Sequence, residues 1–308
     1  MLTYYYRSAK KNGLVKSRQR REGAVGVVTQ ATDEDVRVIA GMMKLAPQDL
    51  TDIFDVQEIP RLEIEDGVVL LFVRAPLPLE NQELLETRLY MLIYNQKELF
   101  VVTNGKASHL IEMLTEHPQL TTDNPGKLLI EFLLYISRRY SVIINEIARK
   151  VDQARTTFKG MANQQIEQLV DYEVILNEYL SVLSPMQQMC TSLVQHKRMG
   201  WQEKDTDLLE DLNNNMAQSA TVCLVNLKKM STLRDSFEVV YTNRLNQTVK
   251  LLTAVTILLT IPTMLASLFG MNVGLPLSSH PQAFWLVLLS ALGLSGLVGW
   301  IFKRNKWV

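Results

Sequence analysis

The sequence predicts an α+β membrane protein, with an α/β domain, a long helical stalk and two transmembrane helices at the C-terminus. Three observations support this prediction. Residues 251–302 contain no Asp, Glu, Lys or Arg. Short apolar runs separated by turn residues occur before about residue 120, and from Asn124-Pro125 onward the apolar residues follow a helical period. The chain of 308 residues therefore divides into a large polar part and a small apolar part.

Residues 1–20 form a predicted basic N-terminal segment. Residues 1–21 carry seven Lys or Arg and no acidic residue. Such a segment is either a solvated tail, which we favour, or a contact for anionic lipid. It lacks the apolar core of a signal peptide, and Cys190 and Cys223 have no metal-ligand spacing and fit a reducing compartment. We therefore expect the polar part of the chain to lie in the cytoplasm.

A cytoplasmic α/β domain is expected over residues 21–122. Thr32 is a suitable N-cap for a helix whose first turn is acidic, and a second short helix is predicted from Pro47 to Val56. Asn95-Gln96-Lys97 is expected to join two strands in a hairpin. The apolar runs that predict strands are 25–28, 68–73, 89–94 and 99–102.

The charge of this domain indicates its partners. Residues 31–125 contain seventeen acidic residues against seven basic ones. Such a surface suits cations better than nucleic acid, so we expect no nucleic-acid partner.

Two helical segments follow. Residues 123–200 are predicted to form an antiparallel helical pair, with the first helix reaching about Lys159 and ending at Gly160. The second helix is expected from Asn163 to about Val194, and Pro185 should kink it because proline has no amide donor.

A single long stalk helix is predicted over residues 201–269. No Gly or Pro occurs from Glu203 until Pro262, and the apolar residues keep helical spacing. A helix of at least fifty residues would be ~80–100 Å long at 1.5 Å per residue. It needs neighbours, which are either the preceding helices or other copies of itself.

Two membrane spans are predicted, TM1 over about 249–269 and TM2 over 283–302. Each is close to the ~20 residues that cross a ~30 Å hydrocarbon core. The loop between them, 270–282, has no Lys or Arg, whereas basic residues precede TM1 and form the tail 303–308. The positive-inside rule then places both termini in the cytoplasm and the loop outside.

A short motif stands at the outer end of TM1. Gly270-Met271-Asn272 follows the run Ile261 to Phe269, and the chain closes with the basic segment Phe302 to Trp307. This arrangement resembles the CorA family of divalent-cation channels over almost the whole chain. The resemblance implies a homopentamer in the plasma membrane that moves Mg²⁺ inward without an organic cofactor. It also implies that Gly270, Met271 and Asn272 form the selectivity filter.

Ion chemistry supports a filter made of polar oxygens. Mg²⁺ dehydrates reluctantly and keeps several waters, and Asn272 can supply one carboxamide oxygen per subunit. Gly270 would let the backbone turn sharply out of the helix. Met271 is a packing residue in this interpretation, because thioether sulfur is too soft for Mg²⁺. The alternative for Asn272 is a simple helix C-terminal turn.

One chain with two spans cannot enclose a pore, so several copies must assemble. TM1 has more polar groups than TM2, whose glycines suit close packing against a neighbour. TM1 is therefore predicted to line the pore. The candidate pore positions lie along the long helix that continues into TM1, at Asp235, Asn246, Val249, Leu252, Thr256, Thr260 and Thr263. The resemblance implies a hydrophobic constriction at Val249 and Leu252 and polar rings at Asn246 and Asp235. Ordinary packing, hydroxyls bonded back to the helix and an exposed acid are the alternatives.

The resemblance also implies regulation by cytosolic Mg²⁺. In the family, carboxylates on adjacent subunits bind Mg²⁺ and hold the channel closed. By position, Asp52 and Asp211 match the two sides of such a site, and Glu131 is a third candidate. Thr51 stands where the family has a further acid, so a second metal site is not expected. Taken alone, each acid is a solvated surface charge.

Other functions remain open from the sequence. The outer loop has no acid and only His280, so capture of the cation would depend on Asn272 and backbone carbonyls. Met271 favours Mg²⁺, while Co²⁺, Ni²⁺ and Zn²⁺ transport on the same fold are alternatives. A non-conducting, membrane-anchored helical scaffold is a further one. We expect no enzyme, because four histidines and two cysteines form no catalytic or zinc pattern and no phosphate-binding glycine loop occurs.

Overall fold

The computed structural model describes residues 2–7, 14–21, 23–77, 87–106, 122, 124–156, 163–195, 201, 203–274, 281–305 and 307. The chain forms two compact units, Met1–Met230 and Ser231–Val308. The first contains a sheet and the greater part of the helical region, and the second contains the apolar helices.

A seven-stranded mixed sheet begins the first unit, in the order β2-β1-β3-β7-β6-β5-β4. β3 and β7 are parallel, and the other neighbours are antiparallel. The central strands are buried for several consecutive residues, as expected where both faces of a sheet are covered. The strands are β1 Leu2–Arg7, β2 Leu14–Ser17, β3 Val25–Val28, β4 Arg61–Glu65, β5 Val68–Pro76, β6 Thr87–Asn95 and β7 Glu98–Val102.

One face of the sheet packs against helix α1, Asp33–Met43, and a 3₁₀ helix, Pro47–Phe54. The predicted N-cap is confirmed, because Thr32 Oγ1 accepts a hydrogen bond from the Asp35 amide at 3.3 Å. The Asp35 carboxylate accepts one from the Thr32 amide at 3.2 Å, which completes a capping box. The second predicted helix is a 3₁₀ helix that ends at Phe54 rather than at Val56.

The N-terminal segment differs from its prediction. β1 pairs with both β2 and β3, and Tyr4 and Tyr5 are 4% and 6% exposed. The solvated tail is therefore wrong for Leu2–Arg7 and Leu14–Ser17, because burial of the tyrosine rings stabilises an edge of the sheet. Residues 8–13 lie outside the described part of the chain.

β4 is absent from the predicted elements. It joins β5 through Asp66 and Gly67, whose φ angles are 47° and 81°. Two successive positive φ angles are characteristic of a type I′ hairpin turn, for which Asp-Gly is a preferred pair.

The other face of the sheet packs against helix α2, Pro125–Thr156, where the rings of Tyr90 and Phe132 meet edge to face at 5.9 Å. Helix α3, Asn163–Gln195, continues through Pro185. Gly160, the predicted break, lies outside the described residues.

The three long helices α2, α3 and α4, which together form the stalk, alternate in direction within the first unit. Two contacts show that α2 and α3 are antiparallel, namely Tyr140 to Tyr179 with centroids 4.9 Å apart and Lys150 to the Tyr172 ring at 5.5 Å. Helix α4, Glu203–Phe269, begins parallel to α2, since Ser141 contacts Ser219 at 2.8 Å and Asp152 contacts Lys229 at 3.0 Å.

The second unit consists of α4 from Ser231 onward and helix α5, Ala283–Arg304. By length and composition both α4 and α5 can cross a membrane, each with a window of mean hydropathy 2.0. Most of their apolar side chains are exposed in one chain. Surfaces of this kind face lipid or other copies of the chain.

Candidate ion pathway and regulatory site

The Gly-Met-Asn motif follows the last turn of α4. The Gly270 amide donates to the Ala266 carbonyl at 3.0 Å, and the Met271 amide donates to the Leu268 carbonyl at 3.4 Å. Gly270 does not have a positive φ. A Cβ at this position would instead lie 3.3 Å from the Ala266 oxygen, which is tighter than an ordinary contact. A side chain at position 270 would therefore crowd the Ala266 carbonyl, and the sharp turn out of the helix stays a prediction.

Asn272 lies directly after this turn and is exposed. Its neighbours Met271 and Val273 are also exposed. Residues 275–280 of the loop, which include the His280 noted in the sequence, lie outside the described residues. A carboxamide in this position is accessible to a cation or to the waters around it.

The threonines of the first span are exposed and bond back to their own helix. Their hydroxyls donate to the carbonyl four residues earlier, at 2.7–2.8 Å in Thr253, Thr256, Thr260 and Thr263. A hydroxyl that has donated its proton still has lone pairs and can accept further hydrogen bonds. Back-bonding, which the sequence left as an alternative, therefore produces a row of exposed acceptor oxygens.

Helix α5 packs against the face of α4 that lies opposite the threonines Thr256, Thr260 and Thr263. Ser295 Oγ donates to the Leu258 carbonyl at 3.5 Å, and a Cβ on Gly299 would lie 3.6 Å from Leu258. Ala254 and Ala291 are 1% and 5% exposed. At 100° per residue, the seven candidate pore residues fall within an arc of about 120° on the surface of α4. Leu258 lies about 180° from the centre of this arc. The seven residues are Asp235, Asn246, Val249, Leu252, Thr256, Thr260 and Thr263.

The surface of α5 is largely open in one chain. A Cβ on Gly293 or Gly296 would meet no atom within 4 Å, so the close packing expected of the TM2 glycines occurs within one chain only at Gly299. The basic C-terminal end of α5 also carries aromatic rings. Arg304 lies over the Trp300 ring at 5.3 Å, and the rings of Phe302 and Trp307 are stacked. Such groups are typical of the membrane interface.

Asp52 lies in the 3₁₀ helix with its side chain 46% exposed, and its Oδ2 accepts a hydrogen bond from Arg61 Nη2 at 2.6 Å. Arg61, on β4, also contacts Glu63 at 2.6 Å and Glu58, and it lies over the Phe72 ring at 4.0 Å. Burial alone would lower the pKa of Arg61, but its hydrogen bonds to Glu63 and Asp52 and the charge of Glu58 raise it. The guanidinium is therefore a permanent cation among carboxylates.

β4 ends in a further acid, the exposed Glu65, whose pKa is raised chiefly by the charge of Asp49. The Thr51 hydroxyl donates to the Gln48 carbonyl at 2.7 Å. Arg61 was not among the predicted site residues, although an isolated base in an acidic stretch is a visible signal.

The other predicted regulatory acids lie elsewhere in the first unit. Asp211 is exposed on α4, and Glu131 is half-buried on α2. Among the described residues of one chain, no group of three or more His, Cys, Asp or Glu is arranged to hold a metal ion. One chain therefore does not bring Asp52, Asp211 and Glu131 together as a complete site.

The two cysteines are buried. Both Cys190 on α3 and Cys223 on α4 are free thiols, and burial raises the pKa of each to about 12. A neutral, buried thiol is unreactive, so these residues contribute to packing.

Comparisons with known proteins agree with this architecture. The model of the family described as "CorA-like Mg2+ transporter protein" matches residues 27–304. The chain is 24% identical to the cobalt/magnesium transport protein CorA of Methanocaldococcus jannaschii over 284 residues, covering 90% of this chain and 88% of that protein. It is 25% identical to the divalent cation transporter CmaX of Pseudomonas aeruginosa over 180 residues, or 56% and 53% of the two chains.

Solved structures show the same fold. The complete structure of the CorA magnesium transporter from M. jannaschii aligns with a TM-score of 0.83 at 22% identity, over 100% of this chain and 99% of that one. Full-length CmaX aligns with a TM-score of 0.75 at 17% identity, over 99% and 97% of the chains. The predicted fold of sheet domain, helical stalk and two C-terminal apolar helices is confirmed.

The family match covers the sheet domain, the stalk and both apolar helices. The chain therefore belongs to the CorA-like Mg²⁺ transporter family, whose members are oligomeric divalent-cation channels of the membrane and not enzymes.

Proposed function

We propose that this chain forms a homopentameric channel in the plasma membrane that conducts Mg²⁺ into the cell down its electrochemical gradient, and that cytosolic Mg²⁺ closes it. The observation that carries the proposal is the exposed threonine face of α4, which lies opposite the face that α5 covers. In an assembly with α4 innermost, this face lines the pore and α5 faces lipid.

The chemistry of the face suits a hydrated cation. Mg²⁺ retains most of its waters, and these waters donate hydrogen bonds outward. Thr256, Thr260 and Thr263 offer acceptor oxygens because their protons are bonded to the backbone. Asn272 adds a carboxamide oxygen at the outer mouth, so that Gly270, Met271 and Asn272 act as the filter.

The lower part of the pathway can close it. Val249 and Leu252 are 53% and 66% exposed in one chain and stand on the same arc as the threonines. A ring of such side chains blocks ions by excluding water. Asn246 and Asp235 follow toward the cytoplasmic mouth, where a ring of carboxylates would concentrate cations.

Regulation rests on carboxylates that meet between subunits. Asp52 on one subunit and Asp211 on the next would share Mg²⁺, with Glu131 as a further ligand. Bridging Mg²⁺ neutralises the repulsion between these acids and binds the closed arrangement more tightly than the open one. That difference in affinity is what shifts the channel toward closure. Both termini are cytoplasmic in this arrangement, as the basic residues flanking the spans favour.

The proposal is tested by flux into proteoliposomes that contain the full chain and a fluorescent indicator, under an inward-negative potential with internal Mg²⁺ chelated. We expect Mg²⁺ influx. The same assay with Co²⁺, Ni²⁺ and Zn²⁺ decides between the ions. A larger flux of Zn²⁺ than of Mg²⁺ would reassign the substrate, and no flux of any of these ions would favour the scaffold.

A further inference from the structure

Arg61 occupies part of the proposed regulatory site. Its Nη2 atom lies 2.6 Å from Asp52 Oδ2, the carboxylate proposed to bind Mg²⁺. The Asp52 side chain is half-exposed, so its carboxylate is in contact with solvent as well as with Arg61. A carboxylate oxygen that accepts a charge-assisted hydrogen bond at this distance has less negative charge to offer a metal ion.

The guanidinium is held in place from several sides. Its Nε donates to Glu63 at 2.6 Å, and its Nη1 contacts Glu58. Its plane lies over the ring of Phe72, which is fully buried in the sheet. Arg61 is therefore a fixed element of the site rather than a mobile surface side chain.

The charges around Arg61 do not cancel. Three carboxylates contact one guanidinium, which leaves a formal excess of two negative charges. This excess favours a cation even while Arg61 is present. Without Arg61, however, the attraction would be stronger and Asp52 would be unpaired.

We propose that Arg61 is a tethered cation that competes with Mg²⁺ for Asp52 and so raises the cytosolic Mg²⁺ concentration at which the channel closes. This inference rests on the proposed regulatory role of Asp52. Arg61 acts as a positioning residue that sets the threshold of the switch, and it is not itself a ligand. A purely structural ion pair would affect folding stability and leave the threshold where it is.

The test measures the internal Mg²⁺ concentration that halves flux through the full-length channel in proteoliposomes. Arg61→Gln should lower this concentration by up to about fivefold, the upper end of the effect of losing one partly exposed ion pair. The matched control is Arg20→Gln, which removes an equal charge from the Arg20–Glu98 pair at 2.7 Å in the same domain. It should leave the threshold unchanged.

Two further variants keep the test decisive. Arg61→Lys retains the charge but cannot contact three carboxylates with one planar group, so its threshold should fall between those of the wild type and Arg61→Gln. If Arg61→Gln does not assemble, Arg61→Lys alone decides, and an unchanged or raised threshold overturns the inference. In an Asp52→Asn background, Arg61→Gln should cause no additional shift.

The outcomes separate the two proposals. If Asp52→Asn raises the threshold and Arg61→Gln behaves like Arg20→Gln, the competition is refuted while the regulatory site stands. If Asp52→Asn leaves the threshold unchanged, the regulatory role of Asp52 is refuted and the competition with it. A full shift by Arg61→Gln in the Asp52→Asn background also overturns the inference, because its target would not be Asp52.

Discussion

At the scale of single residues, local interactions are easier to predict than distant ones. Thr32 was predictable as an N-cap because its partner, Asp35, is three residues away. The environment of Arg61 was not, since Asp52 and Phe72 lie nine and eleven residues from it and meet it only after the hairpin forms. The role of Gly270 depends on one contact distance, 3.3 Å, which a sequence does not contain.

Gly270 supplies the first prediction. Gly270→Ala forces a methyl group against the Ala266 carbonyl and should displace the turn that presents Asn272. We expect Mg²⁺ flux to fall, because the Ala266 carbonyl must shift by a few tenths of an ångström and the turn before Asn272 moves with it. The control is Gly274→Ala, where a Cβ meets no atom within 4 Å. Equal flux in wild type and Gly270→Ala would show that the close approach has no role in conduction.

At the scale of elements, helices with a clear period were predictable, whereas β1, β2 and β4, which lie toward the two ends of the sheet, were not. The stalk helices and both spans follow directly from apolar periodicity and length. β1 and β2 lie in a basic stretch of the kind that is typical of a solvated tail. Only the burial of Tyr4 and Tyr5 in the structure shows that this stretch belongs to the sheet. β4 is short and polar, although Asp66-Gly67 is a hairpin signal that could have located it.

The buried strand β1 gives a stability prediction. Tyr4 is 4% exposed, and its ring meets Phe100 edge to face at 6.4 Å. Tyr4→Ala should destabilise the sheet domain by about 3 kcal/mol, as for other large aromatic truncations in a core. Tyr6→Ala, on the same strand but only half-buried, is the control. Thermal unfolding of the full chain in detergent measures both, and equal melting temperatures for the two variants would contradict the burial of β1.

The threonine face gives a prediction about conduction. Thr260→Val removes an exposed acceptor oxygen while it keeps the shape of the side chain. We expect Mg²⁺ flux to fall by about threefold to tenfold, the effect of losing roughly one hydrogen bond to the hydrated ion.

Thr248→Val is its matched control. Thr248 makes the same back-bond, to the Arg244 carbonyl at 3.0 Å, but lies about 100° from Val249 and outside the arc of candidate pore residues. Flux that falls equally in both variants would mean that the face of α4 does not distinguish the pore.

At the scale of the whole molecule, the chain is incomplete alone. Its two apolar helices expose large side chains along most of their length, and the acids proposed to regulate it form no metal group within the described residues of one chain. Sequence reasoning reached the need for several copies because two spans cannot enclose a pore. It reached the number of copies only through family resemblance, since the contacts that set it lie between chains.

The assembly can be measured directly. Native mass spectrometry of the chain in detergent should give a species of five times 35.1 kDa, about 176 kDa, before bound lipid is counted. Removing Mg²⁺ should leave this mass unchanged, because the apolar helices hold the copies together and Mg²⁺ acts only on the gate. A monomer or dimer as the largest species would rule out the proposed pore.

The central claim is that a divalent cation passes Asn272 at the outer mouth of a pore. The most direct measurement compares Mg²⁺ influx into proteoliposomes for wild type, Asn272→Ala and the control Asn305→Ala, which makes the same change at the other end of the second span. All three proteins must first show the same native mass. We predict that flux is lost in Asn272→Ala and preserved in Asn305→Ala. Wild-type flux in Asn272→Ala would contradict the placement of Asn272 at the filter.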